Sequence, residues 1–166
     1  MKKRYWLLLA SVICMILAFV PVSRIYDSYQ RPPVLEIQCE DFFVAAEGTG
    51  VSWRYRTAWL REEMYESSLV HPLDVREMVT LDTLGYPAEG DPVRLWFRTQ
   101  SAEILSLAWW PAEEQSTGDA EGTAIELSEG NVLPTEGEDR IYALTVRYDE
   151  YNFGGTARYV FRVNDR

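Results

Sequence analysis

Ile141-Tyr142-Ala143-Leu144-Thr145-Val146-Arg147-Tyr148 and Thr156-Ala157-Arg158-Tyr159-Val160-Phe161-Arg162-Val163 are the two runs on which the fold turns. In the first the large apolar residues take even positions and in the second odd ones, the period-two pattern of strands with one buried face. Between them, Asp149-Glu150-Tyr151-Asn152-Phe153-Gly154-Gly155 ends in paired glycines, whose access to positive φ suits a chain reversal. The two runs therefore predict one antiparallel hairpin. Inward even residues must face inward odd ones, so opposed residue numbers sum to an odd value, and the loop length leaves 303 or 305. A sum of 305 sets Arg147 against Arg158, a like-charge pair disfavoured by up to about 1 kcal/mol. The expected register is 303, with Tyr142 opposite Phe161, Leu144 opposite Tyr159 and Val146 opposite Ala157.

Further strands follow from the same alternation. Leu35, Ile37 and Cys39 share a face, as do Val51, Trp53 and Tyr55, and then Val93, Leu95 and Phe97, which leaves Arg94, Trp96 and Arg98 outward. Residues 42–46 form a weaker apolar run. Residues 104–110 are apolar on both faces, as in a strand covered on two sides. The stretch 58–92 is the least regular: Trp59, Leu60 and Met64 hint at a helical face, 78–81 at a short strand, and Gly85-Tyr86-Pro87 and Glu89-Gly90-Asp91-Pro92 at two breaks. Residues 112–122 read as an exposed acidic loop, and 123–127 with a run around Val132 complete the series. Seven or eight short strands with little helix predict an all-β fold, an antiparallel β-sandwich of immunoglobulin-like type. Tyr142 stands two residues before Leu144, where such folds place their corner tyrosine, and Leu144 takes the position that a cysteine holds in antibody domains.

Lys2-Lys3-Arg4 precedes an uncharged run from Tyr5 to Val22, long enough to span a bilayer. Neither Ala18-Phe19-Val20 nor Pro21-Val22-Ser23 makes a good small-x-small cleavage site, so an uncleaved signal anchor is expected, the alternative being secretion after cleavage. By the positive-inside rule the N-terminus is cytoplasmic and the rest extracytoplasmic. The domains are then a cytoplasmic tip at 1–4, a transmembrane helix at 5–22, a stiff Pro-ended linker at 23–33 that lifts the domain off the bilayer, and the sandwich at 34–166. The charge is uneven: residues 1–33 carry five cations and one acid, and the remainder 11 arginines against 25 acids, a net −14. Such a domain is a poor partner for nucleic acid. Of two cysteines, Cys14 lies in the apolar run, so no disulfide forms within the domain, and Cys39 reads as a small buried hydrophobe.

Gly48-Thr49-Gly50-Val51-Ser52-Trp53, His71-Pro72-Leu73 and Gly154-Gly155-Thr156-Ala157-Arg158-Tyr159-Val160-Phe161 resemble small, membrane-anchored exported proteins of Gram-positive bacteria that carry a membrane-proximal β-sandwich. These motifs cover a small part of the domain and consist mostly of strand and turn patterns. The resemblance implies a surface address and carries over no activity and no catalytic residue.

Two surface features are candidates for binding. Trp96 points away from its apolar neighbours, and Trp109-Trp110 puts one indole on each face of a strand; outward indoles stack on sugar rings or anchor protein partners. The competing reading has the 112–122 loop covering them. The second feature is a row of outward arginines, Arg147, Arg158 and Arg162, joined by Arg54 and Arg56 if their strand is a neighbour, suited to an anionic polymer or acidic partner. The competing reading pairs each with a local carboxylate such as Glu36. His71, the single histidine, is flanked by Val70 and Pro72 with Asp74 nearby to orient it as a general base, yet no Gly-x-Ser-x-Gly motif or further zinc ligand accompanies it. The acidic groups Glu113, Glu114, Asp119 and Glu121, and Glu136, Glu138 and Asp139, lack the spacing of a calcium loop. The expectation is a non-enzymatic, membrane-anchored binding module for an envelope protein or envelope glycan, with no cofactor; the alternative is a cell-surface hydrolase with its site near His71.

Overall fold

The computed structural model describes residues 2–39, 42–82, 92–116, 120–135 and 139–164. One long helix, α1 (Lys2–Ser28), precedes a β-rich domain. Its segment Leu8–Ser28, 21 residues, is long and apolar enough to cross a membrane. The helix runs through Pro21 and past the expected end at Val22, because Pro21 removes only one backbone donor and no second breaker comes before Arg31-Pro32-Pro33.

The expected spacer is also tied down. The Trp53 indole Nε1–H donates to the Tyr29 carbonyl at 3.0 Å, and the Tyr29 ring packs on Phe153 at 5.4 Å. The Tyr159 hydroxyl donates to the Pro33 carbonyl at 2.6 Å. Since that spends its one proton, the Tyr148 hydroxyl, 2.7 Å away, donates to Tyr159. Residues 29–33 are therefore bonded to core side chains and do not hold the domain at a distance.

The first sheet has the order β2 (Phe42–Ala46), β1 (Leu35–Cys39), β6 (Val93–Phe97), β9 (Val132–Leu133). The second has β4 (Glu62–Glu66), β3 (Thr49–Arg56), β11 (Phe153–Asn164), β10 (Arg140–Asp149), β7 (Glu103–Pro111), β8 (Thr123–Ala124). Pairing is antiparallel except for β5 (Val79–Asp82), which runs parallel beside the far end of β11. One apolar core takes Leu35, Ile37, Val93, Leu95 and Leu133 from the first sheet and Trp53, Leu107, Tyr142, Leu144, Val146, Tyr159 and Phe161 from the second. The hairpin has the expected register throughout, with Tyr142 opposite Phe161, Leu144 opposite Tyr159 and Thr145 opposite Arg158.

Three expectations are corrected. Gly154 and Gly155 do not form the reversal; residues 150–152 do, and the glycines lie within β11, where β3 crosses close by. Gly155 has φ +122°, and a Cβ there would collide with the Ser52 carbonyl. The helical hint at 59–64 is wrong, because Trp59 and Leu60 sit in the β3–β4 turn and Met64 lies on β4, whose pairing sets Glu62 opposite Arg56. Residues 104–110 are covered on both sides only in their second half; Ile104 and Leu105 are exposed.

A second, smaller core lies on the outer face of the second sheet. Ile141 and Ala143, expected to face solvent, are buried with Trp110 and Leu73 beneath the 3₁₀ turns Pro72–Asp74 and Ala112–Ser116. The breaks at Gly85-Tyr86-Pro87 and Glu89-Gly90-Asp91 lie outside the described residues.

Two outcomes check this packing. Gly155→Ala combines a left-handed backbone with a backbone collision and is expected to cost at least about 2 kcal/mol in urea denaturation. Gly130→Ala, at φ +80° with its nearest neighbour the Arg94 guanidinium at 3.8 Å, should cost only about 1 kcal/mol. Burial holds the Tyr148 and Tyr159 phenols above the usual tyrosine range. Because the unfolded chain releases those protons near pH 10 and the folded chain keeps them, stability should be flat below pH 10 and fall above it, by about 1.4 kcal/mol per pH unit for each phenol. Tyr159→Phe should show a shallower alkaline decline in the same denaturation series.

Candidate functional site

The arginine row exists as parity required, on the outer face of the second sheet, and most of it is neutralised. Arg54 meets Asp149 at 3.0 Å, Arg147 meets Glu103 at 3.4 Å and Arg162 meets Asp139 at 3.2 Å. Arg56 lies over the Tyr151 ring at 4.1 Å. Glu36, the carboxylate named in advance, is taken by Arg98 at 2.6 Å. The exposed pairs of Arg54 and Arg147 are worth little to stability and that of Arg162 is partly buried, but together they leave no net positive stripe.

Arg158 differs from its neighbours. Among the described residues its one side-chain hydrogen bond is a long contact from a terminal guanidinium nitrogen to the Val70 carbonyl, at 3.5 Å. Its Nε–H is buried with no acceptor, and no carboxylate lies within ion-pair distance among the described residues. Burial pulls its pKa below the usual arginine value. The guanidinium lies in the wall of a pocket of about 230 Å³ whose other walls are Thr49, Leu69, Val70, Val75 and Val160. Thr49 and Arg158 are opposed across β3 and β11. The segment bearing Leu69 to Val75 is fastened at both ends: Ser67 N–H donates to the Val51 carbonyl at 3.0 Å, and the Gln115 amide donates to the Val75 carbonyl at 3.2 Å. An aliphatic pocket with a half-buried cation that no described acid pairs has room for an anionic group on an apolar stem, because a carboxylate there would accept from the guanidinium.

The aromatic surface is divided. Trp96 on β6 is outward and 54% exposed, across from Glu36 on the outer face of the first sheet, with Phe43 on the next strand. Trp110 is buried: its indole donates to the Ala120 carbonyl at 2.8 Å, and Gly122 lies against the ring, so residues 120–122 cover it. Trp109 is half-buried toward the main core, under the Arg140 guanidinium at 3.8 Å. Neither indole joins Trp96 in a patch.

His71 caps the 3₁₀ turn that follows it. Its Nδ1 accepts from the Leu73 N–H at 3.3 Å, and its ring meets Trp110 edge-on at 5.9 Å. That ring nitrogen is thus committed to the backbone. Among the described residues no three His, Cys, Asp or Glu side chains converge as metal ligands; Asp119, Glu136 and Glu138 lie outside those residues. Cys39 is buried and Cys14 is exposed on α1.

No family model, no curated protein and no solved structure matches the chain.

The pocket was not legible in advance, because its far wall comes from residues 69–75, which carry no strand periodicity. Its electrostatics fix the sign of a simple comparison. Arg158→Met removes a desolvated charge and keeps an apolar stem, so stability should be unchanged or raised by up to about 2 kcal/mol. Arg162→Met removes an ion-pair partner from the half-buried Asp139 and should cost about 1 kcal/mol. Urea midpoints measured side by side read both, and a large loss for Arg158→Met would place its charge in a structural role.

Proposed function

We propose that this chain is a membrane-anchored, extracytoplasmic binding module of immunoglobulin-like type, whose pocket at Arg158 receives an acidic side chain of an envelope protein. The strand grouping supports the fold: β1, β6 and β9 stand together in one sheet and β7, β10 and β11 in the other, as strands A, B and E and strands C, F and G do in that fold. The Tyr142 hydroxyl also donates to the Pro134 carbonyl at 2.7 Å, the bond of a corner tyrosine, with Leu144 buried two residues on. On this reading β2, β3 and β4 are additions to the sandwich. The apolar segment of α1, with Lys2-Lys3-Arg4 before it, supports an anchor with the domain outside.

The observation that carries the ligand class is the half-buried guanidinium of Arg158 in an aliphatic pocket, its Nε–H without an acceptor and no described carboxylate within ion-pair distance. A glutamate or aspartate with apolar neighbours satisfies both the charge and the walls, whereas a glycan would need the stacked aromatic faces that the separation of Trp96 from Trp110 denies it. The net −14 of the domain screens out anionic polymers at long range, so the short-range pocket does the selecting.

A photoreactive amino acid in place of the exposed Leu69, at the rim of the pocket, tests this in intact cells. Capture of one defined partner is expected, and Arg158→Met should reduce it at least about tenfold, as for truncation of one member of a desolvated charge pair. Undiminished capture by a folded Arg158→Met protein would remove the pocket from the binding site.

A further inference from the structure

We infer that the tip of the β3–β4 turn is a second point of membrane contact, with Trp59 and Leu60 seated at the outer interface of the lipid bilayer beside α1. The inference rests on the reading of α1 as a transmembrane anchor. Trp59 is 80% and Leu60 70% exposed, the most solvent-facing pair of large apolar neighbours in the domain, at the end of a turn that is itself well ordered. Thr57 N–H donates to the Arg61 carbonyl at 2.9 Å and Leu60 N–H to the Thr57 carbonyl at 2.8 Å, with Leu60 held at φ +56°. A β-branch-free leucine in a left-handed conformation at a loop tip is an unfavourable choice for a surface bathed only in water.

The position of the tip along the helix names its surroundings. The Trp59 ring packs on Phe19 with centroids 5.1 Å apart. Phe19 lies nine residues before the end of α1 at Ser28, about 13 Å along the axis, and five before Arg24, about 7 Å. Arg24 is the first charge after the apolar run. With Arg24 among the headgroups, a side chain touching Phe19 sits where headgroups give way to acyl chains, the depth tryptophan prefers. The bonds from Trp53 to Tyr29 and from Tyr159 to Pro33 hold the domain against the helix, so the depth of the tip follows from that of α1.

Neighbouring side chains have the same chemistry. The adjacent 150–152 turn brings Tyr151, 76% exposed, and is joined to the tip by the bond from Arg56 N–H to the Asn152 carbonyl at 2.8 Å. Arg56 and Arg61 flank the tip and Arg24 follows Phe19 by five residues on α1, while Glu62 opposite Arg56 and the neighbouring Glu63 make the charge around the tip mixed. Exposed aromatic and leucine side chains beside long arginine stems match a lipid interface.

The test uses the full chain reconstituted in vesicles of phosphatidylcholine and phosphatidylglycerol, with and without bromine on the acyl chains. The wild-type minus Trp59→Phe difference isolates the Trp59 emission, and the wild-type minus Trp6→Phe difference reports on α1. The expected result is that brominated lipid removes most of the Trp59 component while aqueous acrylamide hardly touches it. A Trp59 component quenched by acrylamide and indifferent to bromine, with Trp6 still quenched by bromine, overturns the second contact and leaves the anchor standing. Protection from both quenchers means that protein, such as a second copy of the chain, covers the tip, and overturns it equally. If Trp6 is also indifferent to bromine, the anchor fails and the inference falls with it.

Discussion

Tyr142 facing Phe161 across β10 and β11, with their rings stacked 5.5 Å apart, is the contact on which the rest of the domain depends. Side chains alternate with a period of two, so a one-residue slip would send Leu144, Val146 and Tyr148 out of the core together. Because the register holds, β7 and β3 add to the hairpin on either side, and the first sheet closes over Tyr142, Leu144 and Tyr159. The same register places Arg158 opposite Thr145 and away from Arg147.

Alternation made the strand faces readable wherever one face meets the core and the other meets water. Leu35, Ile37, Cys39, Trp53, Val93 and Leu95 fall inward as their parity requires, and Trp96 falls outward. The readings that failed lie where that binary condition fails. Ile141 and Ala143 are on the outward parity yet buried, because a segment without strand periodicity folds back over them. Trp110 is hidden for the same reason. The glycine pair was assigned to a turn because sequence shows that φ can be positive but not which backbone comes close; at Gly155 it is β3. Met64 with Trp59 and Leu60 has helical spacing by coincidence, since a tight turn followed by an edge strand also leaves such residues exposed.

The candidate site was legible in part. A row of arginines on one face was predictable; that acids would neutralise Arg54, Arg147 and Arg162 and leave Arg158 was not, because pairing depends on neighbours distant in sequence. Glu103 and Asp139 each lie more than twenty residues from the arginines they bind. What separates Arg158 is a negative condition, a charge desolvated without an acid, which no local pattern encodes.

The chain of hydroxyls from Tyr148 through Tyr159 to the Pro33 carbonyl gives the short segment after α1 a mechanical meaning. A flexible tether would let the domain tumble and would present its faces to the surroundings at random. Here the tether is spliced into the middle of the hairpin, so the helix and the hairpin share an axis of rotation. The domain cannot turn about residues 29–33 without breaking the Trp53–Tyr29 and Tyr159–Pro33 bonds. The domain is then less a bead on a string than a crank on a shaft.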